Sequence, residues 1–132
     1  MSFSVRLGLR IEGVDGCVFC RIAGGELAAT VVYEDEAILG ILPLQPVAAG
    51  HTVVLPKAHC EGLLDVDEAT LAAVARAAKR IAERLVAETD ATGVNLLHAS
   101  GADAQQSVFH LHVHVVPRLR GDGLDLWIRQ GF

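Results

Sequence analysis

Three histidines alternate with apolar residues in Phe109-His110-Leu111-His112-Val113-His114-Val115-Val116. An extended chain repeats every two residues, so His110, His112 and His114 share one face while Leu111, Val113 and Val115 turn toward a core on the other. A single strand histidine is most simply a structural residue, whereas three in alternation call for chemistry. His110 and His114 stand about 13 Å apart at ~3.3 Å per residue, so one metal ion cannot take all three rings. At least one is available for other work, and neutral imidazole near pH 7 is both a nucleophile and a proton carrier. The preceding Gly101 to Ser107 loop offers backbone N–H groups, an amide and a hydroxyl to an oxyanion, the alternative being an ordinary connection between strands.

Cys17-x-x-Cys20 is the second pattern, and it reads as a redox pair, as half of a zinc site, or as two thiols packed without metal. No thioredoxin-like strand–turn–helix context surrounds it, which counts against redox chemistry, and a zinc site would need two further ligands. With Cys60 the chain has three cysteines, which cannot all pair, so reduced thiols and a cytoplasmic address are the expectation.

These residues need a scaffold to position them. Residues 17–23 have the length of a short helix stopped by Gly24-Gly25. Val31 to Glu34 and Ala37 to Leu42 flank Asp35-Glu36 as a hairpin, and Thr52 to Leu55 forms a third strand closed by Pro56. From Asp67, a plausible N-cap, the spacing of Leu71, Val74, Ala78, Ile81 and Leu85 draws one apolar stripe along a helix ending between Thr89 and Gly93. Val94 to Ala99 and Val108 to Val116 read as strands four and five, the last stopped by Pro117. The expected fold class is α+β: a five-stranded antiparallel sheet with one long and one short helix. Residues 1–16 form an N-terminal extension, read as an extended arm, and residues 17–132 a single domain.

The 132 residues are 52% apolar and 20% charged, which suits a globular domain able to bury a core without disulfides. A formal net charge of −5 supplies no field to attract polyanions, so a nucleic-acid polymer is not the expected partner. The longest uncharged stretch, residues 38–56, carries three prolines and His51, and it cannot be a membrane helix. No secretory signal is recognisable in the first sixteen residues.

The sequence resembles the histidine triad (HIT) family. The motif from His110 to Val116 is the naming feature, preceded by Gln106-Ser107-Val108-Phe109. Around it, in the family's order, stand Cys17-x-x-Cys20, Val32-Tyr33-Glu34-Asp35, Gly50-His51-Thr52, Leu55-Pro56-Lys57-x-His59, Gly93-Val94-Asn95-Leu96, and Pro117-Arg118 followed by Gly121-Asp122-Gly123. The resemblance implies a homodimeric, HIT-like fold. It also implies a phosphoramidase-like hydrolase acting at the α-phosphate of a purine nucleoside phosphoramidate or related adenylate, through a nucleotidyl-histidine intermediate. His112 would be the nucleophile. His51 and His114 would lie against the phosphate oxygens, and Ser107 would donate toward the leaving group. Gln106, Val108, Ser100, Leu42 and Pro43 would line the substrate site, and Cys17, Cys20, His59 and His110 would hold a structural zinc ion. Cleavage of dinucleoside polyphosphates is an alternative reaction, and nucleotide binding with little turnover an alternative role.

Three positions depart from the family's pattern. Pro43 stands where an Asp usually accepts from the ribose hydroxyls, Ala99 replaces a frequent Asn, and Gln105 replaces a common Gly. Proline offers no side-chain acceptor, so the first departure bears on ribose recognition, the second on the phosphates and the third on loop shape.

Overall fold

The computed structural model describes residues 4–6, 14 and 16–128. The chain runs β1 (Ser4–Arg6), α1 (Val18–Ala23), β2 (Ala29–Glu34), β3 (Ile38–Ile41), β4 (Thr52–Pro56), α2 (Glu68–Glu88), β5 (Gly93–Leu97) and β6 (Val113–Arg118), with a 3-10 turn at Ala102–Ala104. All neighbouring strands are antiparallel, in the order β1-β2-β3-β4-β6-β5. The five expected strands are joined by β1, which pairs Ser4 to Arg6 with Val31 to Ala29 at the edge. Much of residues 1–16 lies outside the described residues.

The period-2 pattern of the strands sorts their side chains between two helices. Val54 and Val115 join Tyr33, Ile38 and the stripe Val74, Ala77, Ala78, Ile81 and Leu85 beneath α2. Gly40 lets that helix close on the sheet, because a Cβ there would lie 2.9 Å from Ile81 Cδ1. Val31, Leu39, Ile41, Val53 and Leu55 face the other way, against Ile22 and Ala23 of α1. Asp67 caps α2 as its position suggested, its Oδ1 accepting from the Thr70 N–H at 2.7 Å. The stripe ends where Thr89 closes the helix, its hydroxyl donating to the Leu85 carbonyl.

Two boundaries differ from expectation. The last strand begins at Val113 rather than Val108, because the ladder is replaced upstream by other partners: Leu111 N–H donates to the Cys60 carbonyl at 2.8 Å, and the His110 ring donates to the Pro56 carbonyl. The alternation of faces nevertheless persists through this segment, with Leu111 buried beneath α2 and Phe19 of α1 packed on His110 and His112. Pro56 closes β4 as its last residue, whereas Pro117 sits inside β6 instead of stopping it. β4 and β6 pair only from Thr52↔Val115 to Val54↔Val113, so each proline lies where that ladder has stopped and no N–H is required on that side.

Candidate active site and metal centre

Four histidines come to the α1 face of the sheet from two neighbouring segments. Gly50, at φ +88, turns the chain into β4, and a Cβ there would lie 2.7 Å from Leu85 Cδ2. This turn places His51 diagonally across from His114 in the β4/β6 register. His51 Nδ1 accepts the Val47 N–H at 3.1 Å, so the ring's proton resides on Nε2. That proton is donated to His114 Nδ1 at 2.9 Å. His114 therefore keeps its own proton on Nε2, the nitrogen left for a ligand.

His112 has the opposite tautomer. Its Nδ1–H donates to the His110 carbonyl at 2.8 Å, which leaves a bare lone pair on Nε2. The His112 and His114 rings lie 5.1 Å apart between centroids, and the Phe19 ring stands edge-on to His112 at 5.1 Å. A nucleophilic nitrogen thus neighbours an N–H donor in a pocket buried enough to raise the worth of both.

Burial also fixes the charge state. Desolvation lowers His51 and His112 below the ordinary 6.5 and takes His114 to about 4, with the neighbouring imidazoles His112, His51 and His98 adding to the shift at His114. All three rings are neutral at pH 7. A nucleophilic His112 loses its lone pair on protonation, and its lowered pKa moves that loss to more acidic solution. The acid limb of kcat/KM should therefore fall below pH 6.5, with a flat profile from there to neutrality; a limb centred at or above 6.5 would contradict the assignment.

The second cluster adjoins the first. Ligand atoms of Cys17, Cys20, His59 and His110 all lie within 4.8 Å of one another. Cys17 Sγ is 3.3 Å from His110 Nδ1, Cys20 Sγ is 3.3 Å from His59 Nδ1 and 3.5 Å from His110 Nδ1, and the two Nδ1 atoms are 3.2 Å apart. A tetrahedral zinc ion with ordinary bond lengths would set nitrogen pairs about 3.3 Å apart and nitrogen–sulfur pairs about 3.5 Å apart. His110 donates its Nε2–H to the Pro56 carbonyl at 2.7 Å, so its Nδ1 presents a lone pair to the cluster. Burial lowers its pKa to about 4, which keeps the ring neutral. The donor set, tautomer and spacing fit a closed four-ligand ion with no open position.

The remaining predicted residues are distributed less simply. Gln106 is buried with its amide engaged inside the loop: Oε1 accepts the Gly101 N–H, while Nε2 donates to the Glu61 and Val108 carbonyls. This arrangement braces the loop that precedes the histidine segment. Ser100 likewise accepts the Leu63 N–H at 2.7 Å and bonds His98 Nε2 at 2.5 Å. Ser107 is exposed and lines an open cleft of about 380 Å³ with Cys17, His59, Glu61 and Phe109. Leu42 and Pro43 are half-buried just beyond β3, and Val108 is half-buried beside Ser107. Gln105 adopts the left-handed conformation at φ +73 that a glycine would favour, so the loop keeps a glycine-like turn at the cost of some strain. Two residues that the sequence reading left without a role lie against the site. Phe19 packs on the triad, and His98 donates from Nδ1 to the His112 carbonyl at 2.9 Å. Phe19 gave no signal beyond its place in an apolar turn; His98 could have been found from the β5/β6 register, which brings residue 98 opposite the histidine segment.

Residues 24–121 match the family model described as HIT domain. An uncharacterized HIT-like protein of Borreliella burgdorferi is 41% identical over 109 residues, covering 81% of this chain and 78% of its own. The adenylylsulfatase HINT3 of Arabidopsis thaliana is 37% identical over 108 residues, which cover 82% of this chain and 55% of that protein. The crystal structure of a zinc-bound histidine triad family protein from Mycobacterium smegmatis is 46% identical with a TM-score of 0.79, over 83% of this chain and 80% of that one.

Proposed function

Because the chain belongs to the histidine triad (HIT) family, we propose that it is a nucleotide hydrolase acting at the α-phosphate of a purine nucleoside phosphoramidate or a related adenylate. The observation that carries this reading is the pair of opposed tautomers, a bare Nε2 on His112 beside a protonated Nε2 on His114. In the reaction, His112 Nε2 attacks the α-phosphorus and the bond to the leaving group breaks. A proton passes to the departing amine when the leaving atom is nitrogen, a donor role that suits Ser107. Water then attacks the same phosphorus and the P–N bond to His112 breaks, which releases the nucleoside monophosphate, restores the imidazole and returns a proton from the water to Ser107. His114 donates its Nε2–H toward the phosphate oxygens, His51 holds His114 in that tautomer, and Gln106 keeps the adjoining loop in shape. The relative named an adenylylsulfatase favours adenylates among the candidate substrates.

The test is a steady-state and single-turnover assay with a fluorogenic adenosine phosphoramidate. Turnover with a nucleotidylated protein intermediate is the expected result. Tight nucleotide binding without either would favour a regulatory binding protein, for which Pro43 and Ala99 would be the reason.

The same reading includes a structural zinc ion held by Cys17, Cys20, His59 and His110, a cytoplasmic setting that keeps thiols reduced, and a homodimer. Among the described residues no helix is long and apolar enough to cross a membrane. Dimerisation is supported by β5, a half-exposed strand at the sheet edge, and by an open groove of about 470 Å³ where Ala82, Val86 and Ala87 of α2 meet Val94 of β5. Sedimentation at micromolar concentration should find a species of twice 14.0 kDa, and a monomer alone would refute the dimer.

A further inference from the structure

On its β5 side the segment that carries His112 is not held by the sheet, whereas on the β4 side pairing reaches Val113. β5 and β6 pair from Gly93↔Arg118 to Leu97↔His114, and the ladder stops there. At the next position the His112 carbonyl accepts a side-chain donor instead, the Nδ1–H of His98 at 2.9 Å. His98 is itself held in one tautomer: its Nε2 accepts the Ser100 hydroxyl proton at 2.5 Å, and Ser100 Oγ in turn accepts the Leu63 N–H at 2.7 Å. Gly62 leaves room for this chain of bonds, since a Cβ there would lie 2.8 Å from Ser100 Oγ.

From this geometry we propose that His98 is a positioning residue for the reaction, extending the β5/β6 ladder by one side-chain hydrogen bond and so fixing the main chain that aims His112. The inference rests on the reading of His112 as the nucleophile. The His112 ring is oriented by a bond from its Nδ1–H to the His110 carbonyl, two residues back along the same unladdered stretch. Leu111 N–H to the Cys60 carbonyl anchors one side of that stretch, and His98 anchors the other. Val113 stays paired with Val54 on the β4 side, but without the His98 bond the His112 carbonyl loses its partner on the β5 side, and the ring loses part of the fixed direction that a near-attack geometry requires.

The experiment compares three substitutions at this exposed position in the intact protein. His98→Ala removes the donor; His98→Asn returns one at the reach of Nδ1; His98→Gln places its donor a bond farther out. We expect the alanine variant to lose roughly tenfold to a hundredfold in kcat toward the adenosine phosphoramidate, with KM changed by less than about twofold. Asparagine should recover most of that loss and glutamine should not. Imidazole 1H–15N spectra supply a readout independent of turnover: His112 should carry its proton on Nδ1 in wild type and His98→Asn, and show exchange between tautomers in His98→Ala. An alanine variant with wild-type kcat and an unchanged His112 tautomer would overturn the proposal, as would an asparagine variant no better than alanine. If wild-type protein neither turns over nor becomes nucleotidylated, the hydrolase reading fails, and the imidazole spectra still decide whether His98 fixes the ring.

Discussion

His112→Ala should abolish the nucleotidyl-protein intermediate and lower kcat by about 10⁴-fold or more, because it removes the side chain that forms the covalent bond to phosphorus in the first step. The substitution leaves the rest of the site standing. The His51 and His114 pair is held by its own bond and by the Val47 N–H, so nucleotide affinity should change little. Two measurements check this: kcat for the adenosine phosphoramidate, and intact-mass analysis of acid-quenched single turnovers. Wild-type protein should carry one nucleotidyl adduct that maps to the peptide containing residue 112, and the alanine variant none. Near-normal turnover in the variant, or an adduct on another residue, would remove His112 from its role.

Removing the metal should produce the largest change in stability. Protein purified without chelator or affinity tag should contain about one zinc per chain, and stripping it should lower the thermal midpoint by about 10–20 °C, several kcal/mol for a domain of this size. Cys20→Ser should do the same, since it breaks a buried member of the ligand set and leaves His59 and His110 facing each other at 3.2 Å without an ion between them. Catalysis should suffer indirectly. His110, whose Nδ1 belongs to the candidate ligand set, also supplies the carbonyl that fixes the His112 tautomer. A thermal midpoint indifferent to zinc, in protein shown by elemental analysis to be metal-free, would refute the site.

How much of this was readable beforehand depends on whether the determining partner is periodic or particular. The faces of the triad segment followed from alternation alone, since Leu111 and Val115 enter the core beneath α2 and the histidines take the opposite face. The α2 stripe and its Asp67 cap were legible for the same reason. The start of β6 was not, because the partners of residues 110 to 112 are the Pro56 and Cys60 carbonyls and the His98 ring, none of which leaves a mark in local sequence. Gln106 shows a related limit. A glutamine in a polar loop can turn its amide outward to a ligand or inward to three main-chain groups, and only tertiary structure chose the second. The metal set lies between these cases: Cys17-x-x-Cys20 announced half of it, and resemblance to the family supplied His59 and His110.

The order of strands has a consequence for biosynthesis. β6, the final strand of the described chain, lies inside the sheet between β4 and β5 instead of at an edge. While a ribosome is still adding residues up to about 110, β4 and β5 have no strand between them, and the cysteines made first are waiting for a ligand made nearly last. The β2–β3–β4 part can pair as it emerges, but the other side of the sheet cannot close until β6 is made, and nascent chains halted before β6 should remain open there to proteases and chaperones until synthesis resumes.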